Sequence, residues 1–237
     1  MSDGKVVRRE KDAITRKEET SIGSKLFTEC NKVVVSGRIE KEFEYSHKTS
    51  LEKFYQTEVA VTRYSGVEDV IPIVVSDSLI EEKVKGTTVK GKWIEVAGQF
   101  RSHQKLDKDG HSHLELFLFG KEIKICDKED ELEEANVDLI YLDGYLGKPP
   151  VLRETPSGRK ITDLLMAVNR PYGKSDYIPC IAWGKVAQLS SEFEVGKRVK
   201  LYGRIQRREY FKRYSPDSEA GEYKHAYEIS IMRVEEV

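Results

Sequence analysis

The sequence predicts an all-β protein made of two small closed barrels in tandem, and three observations predict it. Apolar and polar residues alternate along most of the chain, the period of half-buried strands. Turn signals such as TPSGRK and EVGKR separate these runs. The chain also repeats itself. A shift of 107 residues lays AVTRYSGVEDVIP (Ala60–Pro72) on AVNRPYGKSDYIP (Ala167–Pro179) with seven of 13 positions identical. The same shift lays Gly37 on Gly144, and a shift of 105 lays GKWIEVAGQF on GKRVKLYGRI.

In chain order, residues 1–30 mix charges of both signs evenly and are expected to be an arm, either helical or disordered. Residues 31–125 form the first copy, with LELFLF as its last strand. Residues 126–135, CDKEDELEEA, carry six acids against one lysine and read as a solvated linker. Residues 136–237 form the second copy. There Ile140, Leu142 and Gly144 alternate with Tyr141 and Asp143, and Val199, Leu201 and Ile205 alternate with Lys200, Tyr202 and Arg204. The stretch KVAQLSSEF has Val186, Leu189 and Phe193 at near-helical spacing, and HAYEISIMRV supplies the last strand through Tyr227, Ile229 and Ile231. Five strands with one short helix between the third and fourth is the layout of the OB-fold, a five-stranded Greek-key barrel. An immunoglobulin-like sandwich would need about seven strands per copy and a Cys–Trp–Cys pattern.

Composition narrows the function classes. An apolar fraction of 38% beside 34% charged residues fits a soluble globular chain, and no apolar run approaches the roughly 18 residues of a bilayer span. The N-terminal stretch has no apolar segment of secretory type, so a cytoplasmic protein with no membrane partner is expected. Cys30, Cys126 and Cys180 are odd in number and widely spaced, which argues against a disulfide framework or a thiolate zinc site. His103, His111 and His113 include a His-x-His pair but lack a third ligand, so no metal is expected. There is no phosphate loop, nucleophile elbow or His-Glu-x-x-His. Neither catalysis nor a cofactor is expected.

Against a net charge of −1, the stretch GRIQRREYFKRY (Gly203–Tyr214) concentrates five cations and three aromatics around a single acid, Glu209. With Ile205 pointing into the barrel, alternation puts Arg204, Gln206, Arg208, Tyr210 and Lys212 on the outer face, and Arg207, Phe211 and Arg213 on the other side of the ribbon. On the strand Tyr177–Trp183, Ile178, Cys180 and Ala182 face inward, which turns Tyr177 and Trp183 outward. Bare rings on a barrel wall are platforms for unstacked bases, and neighbouring cations suit a phosphate backbone. The same rings would equally serve a subunit interface. Arg170 and Tyr172, Lys185 after Trp183, and Arg153, Arg159 and Lys160 around the TPSG turn are further candidates.

The second copy resembles the bacterial single-stranded DNA-binding protein family. LDGYLGKPPVLRETPSGRKITDLLMAVNR (Leu142–Arg170), DYIPCIAWGKVAQ (Asp176–Gln188) and GKRVKLYGRIQRREY (Gly196–Tyr210) carry the resemblance. It implies stacking aromatics at Tyr177, Trp183 and Tyr210, and binding of single-stranded DNA with little sequence preference in replication, repair or recombination. It also implies four barrels working together, hence a homodimer of this two-barrel chain. The family's acidic tail has no counterpart after ISIMRVEEV, so recruitment of other proteins by that route is not expected. The first copy is similar to a diverged member. Val70, Ser76 and Lys105 stand at the three ring positions, and Trp93 should face outward by alternation, toward an interface or a loop. A protein-interaction module of primosome type and a single-stranded RNA binder are the alternatives.

Overall fold

The computed structural model describes residues 30–84, 87–106, 110, 112–214 and 218–237. The expectations for residues 1–29 and for His111 lie outside the described residues. The first copy contains β1 (Asn31–Ile39), β2 (Glu44–Lys48), β3 (Lys53–Thr62), β4 (Glu68–Ser76), α1 (Asp77–Val84), β5 (Trp93–Leu106) and β6 (Ser112–Cys126). The second contains β7 (Asp138–Leu146), β8 (Val151–Glu154), β9 (Lys160–Asn169), β10 (Ser175–Trp183), α2 (Gly184–Ser190), β11 (Arg198–Arg213) and β12 (Gly221–Glu236).

In each copy five strands close a barrel. The first closes through β1–β3, β3–β4, parallel β4–β6, β6–β5 and β5–β1 pairings. The second repeats them as β7–β9, β9–β10, parallel β10–β12, β12–β11 and β11–β7. The helix follows the third barrel strand in both, as the OB-fold requires. Short strands β2 and β8 extend each sheet at its outer edge. The barrel corner depends on glycine: a Cβ on Gly144 would lie 2.6 Å from the Ala167 carbonyl oxygen, and one on Gly37 would strike the carbonyl of Ala60, its counterpart. The inward rows are wholly buried, including Val35, Ile71, Ile73 and Phe100 in one barrel and Leu142, Met166, Ile178 and Ile205 in the other, and a single contiguous apolar cluster runs through both.

The barrels join edge to edge. β1 pairs antiparallel with β7, and Val33 lies opposite Ile140, its own repeat counterpart. A pseudo-two-fold axis therefore passes between them, as in an isologous contact. Side chains repeat the symmetry. The Arg63 guanidinium forks onto buried Asp69 within the first barrel, Nη2 to Oδ1 at 2.5 Å. Arg204 of the second barrel reaches the same carboxylate at 3.1 Å, and the Arg207 amide donates to it at 2.8 Å. Reciprocally, Arg170 forks onto buried Asp176, Nε to Oδ2 at 2.5 Å, and Arg101 of the first barrel approaches it at 3.3 Å. The Ser102 amide completes that cluster. A buried carboxylate is tolerated because every lone pair it presents meets a cation or an N–H.

The acidic segment differs from a solvated spacer. It forms a 3-10 turn at Glu129–Glu131, buries Leu132, and accepts the Ser36 hydroxyl at the Glu134 carbonyl (2.7 Å). Asn136, at φ 57°, accepts the Thr62 amide at 3.0 Å. One leucine among the acids, and a buried hydroxyl in β1 needing a partner, moor it to the first barrel. Trp93 opens β5 half-buried, opposite Arg38 and Cys126.

Candidate nucleic-acid interface

β10 places the rings by simple alternation. Ile178, Cys180 and Ala182 are buried, while Tyr177 is 47% and Trp183 37% exposed. The Tyr177 amide donates to the Ser102 hydroxyl of the first barrel at 2.9 Å, so this ring stands directly at the seam. Trp183 ends the strand opposite Ile161 and caps α2, whose first residue Gly184 has φ 57°. Tyr210 is 38% exposed on the long β11–β12 hairpin, with the Arg208 guanidinium 5.9 Å from its ring centre. Lys160 begins β9 and Lys185 is the second residue of α2, both exposed near the Trp183 end of the wall.

Farther out, Phe211 is exposed and meets Tyr223 edge-on at 5.2 Å. Lys212 and Arg213 are exposed beside it. Tyr223 was not anticipated from the sequence, although Tyr223 and Tyr227 in GEYKHAYEI alternate with period 2 and mark a ring-bearing strand face. Tyr214 is exposed as well, while the side chain of Tyr172, in the 3-10 turn Pro171–Gly173, lies outside the described residues.

Not all of the expected cations reach this wall. Arg170 and Arg204 are drawn into the seam onto Asp176 and Asp69, and Gln206 is buried and donates to Glu228 at 2.6 Å. Arg153 forks onto Asp163 on the neighbouring strand, while Arg159 is exposed in the turn. Arg208 keeps a loose approach to Glu228 at 3.9 Å. Among the described residues, Lys160, Lys185 and Lys212 form no ion pair, so with Arg208 they are the cations best placed to meet an anionic backbone.

Cys126 and Cys180 are buried, and burial pushes both thiols up, which leaves them inert. Asp138 is more informative. It accepts the Ile205 amide at 2.9 Å within the second barrel, as its counterpart Asn31 accepts the Phe100 amide at 2.9 Å within the first. Asn31 also donates to the Phe100 carbonyl at 2.8 Å, which a charged carboxylate cannot do. Asp138 keeps some exposed surface as a residue, but its carboxyl is enclosed. Desolvation raises its pKa from 3.8 to about 8; the Ile205 amide opposes this, nearby Asp69 adds to it, and Arg204 and Arg63 also oppose it. Among the described residues no group of three His, Cys, Asp or Glu side chains could hold a metal, and no helix is long and apolar enough to cross a membrane.

Two OB barrels thus share one sheet, with rings and cations exposed outside the second. A model of the single-strand binding protein family matches residues 137–236. The single-stranded DNA-binding protein of Fusobacterium nucleatum is 34% identical over 83 residues, covering 31% of this chain and 54% of that protein. Single-stranded DNA-binding protein B of Bacillus subtilis is 35% identical over 78 residues, covering 30% of this chain and 69% of that protein. The chain belongs to the single-strand binding protein family, and it spans about half the length of most of the curated relatives it matches. The fold is similar to the crystal structure of the wild-type single-stranded DNA binding protein from Thermus aquaticus, with TM-score 0.68 and 20% identity, covering 87% of this chain and 92% of that one.

Proposed function

We propose that this chain binds single-stranded DNA without strong sequence preference and performs no reaction, serving replication, repair or recombination. One observation carries the reading: Tyr177, Trp183 and Tyr210 stand exposed on the outside of the second barrel, with Arg208, Lys160, Lys185 and Lys212 around them. Bases stack on such rings irrespective of identity, and the cations meet the phosphates. Family membership supports the same reading. Homodimerisation, giving four barrels, belongs to the proposal and is checked by the mass of the complex in light scattering.

The test is a titration with oligo(dT), its RNA equivalent and a duplex of equal length. Trp183→Ala should weaken oligo(dT) binding by about 1–3 kcal/mol, the worth of one stacked base. Undiminished affinity in that variant would remove stacking at this site. Tighter binding of the RNA would make it the ligand instead.

A further inference from the structure

The first barrel lacks rings at all three positions that carry them in the second, yet its outer face is not bare. Ser76, the counterpart of Trp183, lies opposite Phe54 on β3, and neighbouring β6 carries Phe119. In the second barrel the matching places hold Ile161 and Ser230. The aromatic surface has thus moved from the β4 position to the strands on either side. The His47 ring on β2 lies flat on Phe54, centres 4.8 Å apart and planes 15° apart. Phe119 meets Phe54 at 5.7 Å, and the Lys121 ammonium sits 4.5 Å from the centre of Phe119. His47 is exposed and Phe119 half-exposed, while Phe54 is covered between them. A histidine stacked face to face on a phenylalanine holds the parallel geometry that a nucleobase would extend.

Two contacts relate this surface to the second barrel. Tyr177 is bonded to Ser102, and the adjacent Arg101 lies close enough to Lys121 to act on its charge. Burial first, then Arg101, lowers the Lys121 pKa, and only Glu52 opposes them. The ammonium is partly desolvated, so an arriving phosphate would meet it with less screening than in bulk water.

We propose that His47 and Phe119, backed by buried Phe54 and with Lys121 over the Phe119 ring, form a second nucleobase platform on the first barrel, reached by a single strand that continues from Tyr177 across the seam. This rests on the DNA-binding reading of the second barrel. The structure supplies the stacked rings and the cation beside them, and the ligand chemistry is a flat base followed by a phosphate.

The experiment is photo-crosslinking of the full chain to a (dT) oligonucleotide carrying 5-iododeoxyuridine at successive positions, with peptides identified by mass spectrometry. Affinity of His47→Ala and Lys121→Gln chains for the unmodified strand is measured alongside. Phe119→Leu keeps the packing volume and serves as a third variant. Crosslinks at His47 or Phe119 as well as at Tyr177, Trp183 or Tyr210 are expected, with affinity lowered by about tenfold in the His47→Ala chain. Crosslinks confined to the second barrel, with all three variants binding as the parent does, would overturn the second platform and leave the proposed function intact. No crosslink and no binding anywhere would overturn both.

Discussion

Asp138 shows how one side chain can record the duplication and its divergence. Asn31, its counterpart, both accepts from and donates to the backbone of Phe100, while Asp138 is held by the Ile205 amide. Protonated, it can imitate the amide. Its pKa is raised from 3.8 to about 8 in the fold, so the folded state binds more protons than the unfolded state between those values. Stability should therefore fall as pH rises from about 4 to about 8 and level off above. Asp138→Asn should remove that slope and stabilise the fold at pH 9 by about 1–3 kcal/mol, read from urea unfolding at several pH values. An unchanged pH profile in the variant would show that this carboxyl is ordinary. Nothing in the sequence distinguishes Asp138 from other strand aspartates, because its neighbours come from a segment 67 residues away. Tyr177 and Trp183, by contrast, were legible as outward rings because strand alternation alone settles their direction.

Hairpin β11–β12 and the seam are the elements whose roles separate on inspection. Local alternation assigned Arg204, Gln206, Arg208, Tyr210 and Lys212 to one face, but the first part of β11 runs along the other barrel. Arg204 is consequently held by Asp69 of that barrel, Gln206 is held by Glu228 across its own hairpin, and only the part beyond Arg207 stands clear. Period-2 reading gives a direction and is blind to which neighbour fills that side. With Arg208, Lys212, Lys160 and Lys185 left to meet phosphates, log affinity against log salt should have a slope near −3, about −0.7 for each of four contacts. Arg208→Gln with Lys212→Gln should bring it near −1.5 by the same count. A slope unaffected by both changes would show that the hairpin is not a backbone contact. In the seam, Asp176→Asn leaves Arg170 and Arg101 without their shared carboxylate and should cost about 3–5 kcal/mol in denaturant unfolding. A loss below about 1 kcal/mol would place that cluster among weak surface pairs.

At the scale of the whole molecule, the two barrels form a single body. Their sheets join through β1 and β7, their cores touch, and each contributes an arginine to the other's buried aspartate. One cooperative unfolding transition is expected, with both barrels lost together; two transitions separated in urea would contradict a shared seam. The duplication and the five-strand, one-helix layout were legible from the repeat and from alternation. The seam was not, since the sequence reveals two similar units without saying that their first strands pair. Nor were the shifted rings of the first barrel, because positional comparison looks for an aromatic at Ser76 and overlooks its lateral neighbours Phe54 and Phe119. The most direct measurement of the central claim, that the exposed rings of the second barrel receive bases, is Trp183 emission in a Trp93→Phe chain titrated with oligo(dT). Saturable quenching that weakens when Tyr177 or Tyr210 is replaced by alanine is predicted. Emission that stays constant while binding is registered by an independent probe would contradict it.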